Sequence, residues 1–145
     1  ILETVNLYSK NPQKRGINTN GSCYYLAPNG NRCAVGRIMS AKGLDKYGDF
    51  RGDYSQLACS ANLENTPREI LFKPSYREVA KDSSLLSILQ SLHDDMLVMG
   101  ADKTRINKPI IQHALRRLAQ YDYLSEAEAE ELTETVINNL ERALQ

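Results

Sequence analysis

At 145 residues the chain is long enough for one globular core and short for two. Hydrophobic residues at 41% and charged residues at 25% exclude disorder of the whole chain, and no apolar run approaches the roughly 20 residues of a membrane span. The 18 basic and 18 acidic side chains cancel, which removes the overall basic footprint of a bulk nucleic-acid binder.

Charge is segregated along the chain instead. Residues 1–37 carry a balance of +4, residues 38–101 of −2, residues 102–117 of +4 and residues 118–145 of −6. A local positive face opposed by an acidic helix is the expected consequence. Three cysteines are too few for a disulfide scaffold and odd in number, so they read as reduced thiols of a cytoplasmic protein. The first residues, which include Glu3, do not read as a signal peptide. A start at Ile1 rather than methionine is what a truncated or processed chain would show.

In chain order, Leu2, Val5 and Tyr8 repeat at three-residue intervals and predict an amphipathic helix over residues 1–9. Residues 10–21, with Pro12, Gly16 and Gly21, predict an irregular basic connection. Asn29-Gly30 then predicts a tight hairpin turn between 23–27 and 32–35, because glycine and asparagine tolerate positive φ. In that register Tyr24, Leu26, Cys33 and Val35 share a buried face, and Cys23, Tyr25 and Arg32 fall on the outer one. A short helix containing Ile38 and Met39 should end near Gly43, with a loop over 43–53 and another short helix over 54–63.

Thr66-Pro67-Arg68-Glu69 reads as a capping box opening a helix that Pro74 keeps short. Ser83 or Ser84 should cap a helix through Met99, with Leu85, Leu89, Leu92 and Met96 on its apolar line and Gly100 as terminator. Asn107-Lys108-Pro109 opens the next helix, whose inner face is Ile111, Ala114, Leu115 and Leu118. Ser125 and Glu128 form the capping box of the last, with Leu132, Val136 and Leu140 inward. The prediction is an α+β fold: one predominantly helical domain over 1–145 with a short antiparallel β-hairpin.

The segment Tyr24-Tyr25-x-x-Pro28-x-Gly30-x-x-Cys33-Ala34-Val35-Gly36, followed by Leu89-Gln90-x-Leu92-His93-Asp94, resembles small, largely uncharacterised proteins of bacteriophages and bacterial mobile elements. Arg37 departs from that pattern, where an apolar residue or a cysteine is usual. The resemblance implies an intracellular accessory protein that occupies a host or defence protein, and it implies no catalytic mechanism.

For chemistry, His93 with Asp94 is the sharpest pair, either as a small hydrolase or with Cys33 or Cys59 as a nucleophile that His93 activates. An ordinary half-buried histidine and a packed Cys33 are the blander alternatives. Cys23, Cys33, Cys59 and His93 lack a CxxC pair, so no metal is expected. The glycines fit neither GxxxxGK(S/T) nor GxGxxG, and no cofactor is expected. Lys103, Arg105, Lys108, Arg116 and Arg117 offer guanidinium and ammonium groups to a nucleotide or oligonucleotide, with Tyr24, Tyr25 and Tyr54 as stacking surfaces.

The leading expectation is a noncatalytic phage-associated protein that binds and regulates or inhibits a host protein. Arg37, Lys103, Arg105, Arg116 and Arg117 would be its basic contacts, and Glu126, Glu130 and Glu134 its acidic ones. The hydrolase and the nucleotide-binding readings are the alternatives.

Overall fold

The computed structural model describes residues 1–17, 23–100 and 103–145. Among them are seven α-helices and one two-stranded antiparallel sheet, the mostly helical α+β class that the sequence predicts. The chain groups into two compact units, residues 1–14 with 91–145, and residues 15–90. No helix among the described residues is long and apolar enough to cross a membrane.

The first unit contains α1 (Leu2–Lys10), α6 (Lys108–Gln120) and α7 (Glu126–Ala143). Ile111, Ala114, Leu115 and Leu118 of α6 and Ala129, Leu132, Val136 and Leu140 of α7 are buried, and these two helices pack on each other. Their spacing of three and four residues is the reason: one stripe per helix leaves water. α1 packs on α7 with Val5 and Tyr8 buried, and Asn139 Nδ2 donates to Ser9 Oγ at 3.1 Å. The start of α7 is set by the predicted capping box, in which Ser125 Oγ accepts from the Glu128 N–H and the Glu128 carboxylate accepts from the Ser125 N–H.

The only regular strands among the described residues also lie in this unit. β1 (Leu97–Met99) pairs antiparallel with β2 (Thr104–Ile106), Val98 opposite Arg105. The sequence reading extends the preceding helix through Met99, but that helix, α5 (Ser83–Asp95), stops four residues earlier. Two things favour the stop. Asp94 and Asp95 put negative charge at a helix C-terminus, where the macrodipole opposes it. The Met96 carbonyl instead accepts the Asn107 N–H at 2.9 Å, which starts the sheet pairing. α5 itself is capped by Asp82, whose Oδ1 accepts the Leu85 N–H at 3.0 Å, rather than by Ser83 or Ser84.

In the unit of residues 15–90 the Asn29-Gly30 turn forms, but not as a hairpin. Gly30 has φ +83°, and Ala27 and Asn31 are joined by a 2.8 Å backbone hydrogen bond. The flanks find other partners: the Tyr24 N–H goes to the Gly16 carbonyl at 2.7 Å, and the Leu26 N–H to the Gly48 carbonyl at 2.8 Å. Among the described residues the flanks form isolated bridges instead, Ile17 with Cys23 and Arg15 with Arg32. Without a shared pleat, the predicted alternation of faces fails at Tyr25, which is buried, while Cys33 and Val35 are buried as expected.

Around this segment Met39, Tyr54, Leu57, Phe72 and Leu86 complete one apolar cluster. α2 (Ala41–Tyr47) starts after Ser40, not before Met39, because the Ser40 side chain accepts the Gly43 N–H at 2.9 Å and its hydroxyl donates to the Ile70 carbonyl. It runs into the region expected to be loop. Gly43 therefore lies inside α2, where its Cα faces the Leu71 backbone and a Cβ would overlap the Leu71 carbonyl oxygen.

α3 (Tyr54–Leu63) spans the predicted residues, capped by Asp53 in a capping box with Gln56. α4 (Arg68–Leu71) is short, as Pro74 requires, but Thr66 does not cap it. The Thr66 hydroxyl is instead 2.7 Å from Lys46 Nζ and 3.3 Å from the Tyr47 hydroxyl.

Gly43→Ala sets two effects of opposite sign against each other. Helix propensity favours alanine by about 1 kcal/mol, whereas overlap with a buried carbonyl costs about 1–3 kcal/mol or more. Net destabilisation is expected in a denaturant titration. An unchanged or raised midpoint would show that the α2–α4 approach is not tight.

Candidate functional site

The apolar line of α5 decides where His93 goes. Leu89 and Leu92 are buried, and His93 lies one turn after the first and next to the second, so its ring is carried to the buried side and is 1% exposed. Asp94, the next residue, turns toward the surface with a side chain 28% exposed. Their side chains meet: His93 Nδ1 lies 2.7 Å from Asp94 Oδ1. From α1, the Tyr8 ring stands edge-on to the imidazole, centroids 4.4 Å apart and planes at 80°.

An ionised carboxylate only accepts hydrogen bonds, so this pairing places the hydrogen on Nδ1 and makes Nε2 the basic nitrogen of the neutral ring. A carboxylate on one imidazole nitrogen is a feature that general acid–base histidines and metal-ligating histidines share. The pair is therefore equipped for proton transfer, and its nitrogen and carboxylate are ligand types that a divalent metal accepts. Sequence reasoning found both residues. It did not find Tyr8 as the neighbour of His93, because helix periodicity shows that Tyr8 points inward but not what it meets.

The cysteines named as possible nucleophiles belong to the unit of residues 15–90. Cys33 is fully buried, and its Sγ accepts the Gly36 N–H at 3.3 Å. Cys59 is exposed on α3, and no disulfide joins any two of the three cysteines. Cys33 thus behaves as a packed small hydrophobe with one backbone partner.

A second buried polar cluster in the same unit escaped the sequence reading. The Tyr25 hydroxyl donates to the Gly52 carbonyl at 3.1 Å, and Gln90 Nε2 reaches the same carbonyl at 3.4 Å. Desolvation, reinforced by the nearby Cys33, pushes the Tyr25 phenol far above its ordinary value, with the Gln90 hydrogen bond pulling the other way. Desolvation also raises Tyr54, whose hydroxyl donates to the Ala80 carbonyl, against an opposing effect of Arg68. Both rings are buried, so neither is a surface on which a nucleobase could stack. The third candidate, Tyr24, has the Arg51 guanidinium over its ring at 5.1 Å and bonded to its hydroxyl at 2.8 Å.

The basic candidates lie on different elements. Lys103, Arg105 and Arg116 are exposed, Arg105 on β2 and Arg116 on α6. Lys108 is spent on Glu141 of α7 at 2.9 Å, and Arg117 lies 5.8 Å from the Tyr121 ring. Arg37 is half-buried in the unit of residues 15–90. The acidic candidates do converge with one basic one. Glu126, Glu130 and Glu134 of α7 and Arg116 of α6 line one groove of about 460 Å³. The chain matches no protein-family model, no curated protein and no solved structure.

The two buried phenols give the alkaline limb of stability its sign. A folded pKa above the unfolded value of 10.0 leaves stability untouched below about 10. Above that pH the unfolded chain loses its phenolic protons first, so stability falls as pH climbs toward the raised folded values. Denaturant titrations across this range should show the decline, and Tyr25→Phe with Tyr54→Phe should flatten it. A decline of equal slope in the double variant would refute the assignment.

Proposed function

We propose that this chain is a small hydrolase whose general acid–base group is His93, oriented by Asp94. The observation that carries the reading is the 2.7 Å approach of Asp94 Oδ1 to Nδ1 of an imidazole that is 1% exposed. The carboxylate fixes the ring and its tautomer, and it stabilises the imidazolium formed when Nε2 takes a proton from an attacking water. Burial strengthens each of these interactions, because the local dielectric is low. It also sets a condition: substrate reaches Nε2 only through local opening of the surrounding side chains, so turnover should be gated by that motion.

A second reading keeps the expected binding role, in which the chain occupies a basic surface of a host protein. It is favoured by the groove between α6 and α7, where Glu126, Glu130 and Glu134 face outward with Arg116. Among the described residues none of these four has an ion-pair partner, so their charges are available to a partner.

The test is turnover of phosphoester, peptide and nucleotide substrates, with and without added divalent metal. The hydrolase reading expects activity in one class, reduced at least about 100-fold by His93→Ala in a protein that still folds. Asp94→Asn should lower kcat and move the pH profile, which a purely structural carboxylate would not do. Absence of turnover in every class, or full activity in His93→Ala, sinks the reading. Partner capture by the wild type but not by a Glu126→Gln, Glu130→Gln, Glu134→Gln variant would then move the assignment to the binding role.

A further inference from the structure

α3 and α4 enclose a pocket that neither reading uses. It holds about 180 Å³ and is walled by Tyr54, Leu57, Ala58, Ala61, Leu71 and Phe72. The room exists because α3 presents alanines where its inner face repeats, at 58 and 61, one turn from Tyr54 and Leu57. Leucine at either position would fill it. The floor is apolar: Tyr54, Leu57, Leu71 and Phe72 are all buried, and the Tyr54 and Phe72 rings meet edge-on at 6.3 Å. Tyr54 offers only its ring, since its hydroxyl is committed to the Ala80 carbonyl. A cavity of about 150 Å³ with such a lining takes a benzene-sized guest.

One full charge lines the same pocket. Arg68, the first residue of α4, belongs to the lining and is exposed. Among the described residues it has no carboxylate partner, although its charge is felt at the Tyr54 phenol. The nearby Glu64 is already occupied by Lys46 at 2.9 Å and by the Tyr47 hydroxyl at 2.6 Å. The other polar lining residues are Asn62 and Thr66, and the Thr66 hydroxyl is taken by Lys46 and Tyr47. An apolar chamber of benzene size beside one available guanidinium matches a single ligand chemistry: a ring or branched alkyl group carrying one carboxylate.

We infer that this pocket binds a small apolar monocarboxylate, with its apolar group between α3 and α4 and its carboxylate on Arg68. A free organic acid and the C-terminal residue of a peptide ending in phenylalanine both present that chemistry. The proposal is independent of His93 and stands or falls without it.

The probes are 3-phenylpropionate, its neutral amide, and a short peptide with a C-terminal phenylalanine, each titrated into the intact chain and followed by backbone amide NMR. Saturable shifts confined to residues of α3, α4 and Phe72 are expected with the acid. The amide should bind roughly five- to tenfold more weakly, and Arg68→Gln should reduce acid binding by a similar factor while leaving the amide unchanged. Tighter binding of the peptide than of the free acid identifies a chain terminus as the source, and the reverse identifies a metabolite-sized acid. Ala58→Leu should abolish binding of all three. Arg68 is on the surface, so its variant keeps the test valid even if Ala58→Leu fails to fold. The proposal is overturned if no saturable shift appears at millimolar probe, or if acid and amide bind equally. Acid binding unchanged in Arg68→Gln would also overturn it.

Discussion

A helix advances about 100° per residue, so once one stripe of α5 is buried every other side chain on it has its direction fixed. Leu85, Leu89 and Leu92 set that phase. It leaves His93 no route to solvent, and an imidazole without water needs a hydrogen-bond partner from the protein. Asp94 provides one from the adjacent position, where the helix is about to end and the side chain has room to fold back. The apolar stripe and the polar pair are thus linked: burial of the leucines carries the ring out of water, and the carboxylate gives the buried ring a defined tautomer.

Much of the fold was legible because much of it is helix with strong local punctuation. Ser125 with Glu128 and the stripes of α6 and α7 follow from spacing and capping alone. What failed did so where backbone groups had a choice of partner. Asn29-Gly30 encodes a turn, and the turn is there. A turn does not decide whether its flanks pair with each other, and here the Gly16 and Gly48 carbonyls win the Tyr24 and Leu26 amides. At the other end of the chain, Leu97–Met99 continues an apolar helical pattern, yet the strand state wins because Asn107 and β2 supply partners that no local signal announces.

The candidate site shows the same division. His93 and Asp94 were visible as a pair because they are adjacent, so their meeting needed no knowledge of topology. The groove between α6 and α7 needed it: Arg116 and Glu130 are separated by a turn in sequence, and only the packing of the two stripes puts them on one surface. The pocket beside Arg68 was invisible for a different reason. Its signal is two alanines on a helix whose faces are poorly defined from sequence, and an alanine reads the same whether it makes close packing or leaves a space.

The chemistry of the pair depends on which imidazole nitrogen carries the hydrogen. Nitrogen-15 shifts of the His93 ring, read through its long-range couplings to the ring protons, report this directly. The account predicts a protonated Nδ1 and a pyridine-like Nε2 in the neutral ring, with the preference lost in Asp94→Asn. A ring protonated at Nε2 in the wild type, or a pattern indifferent to Asp94, would contradict it.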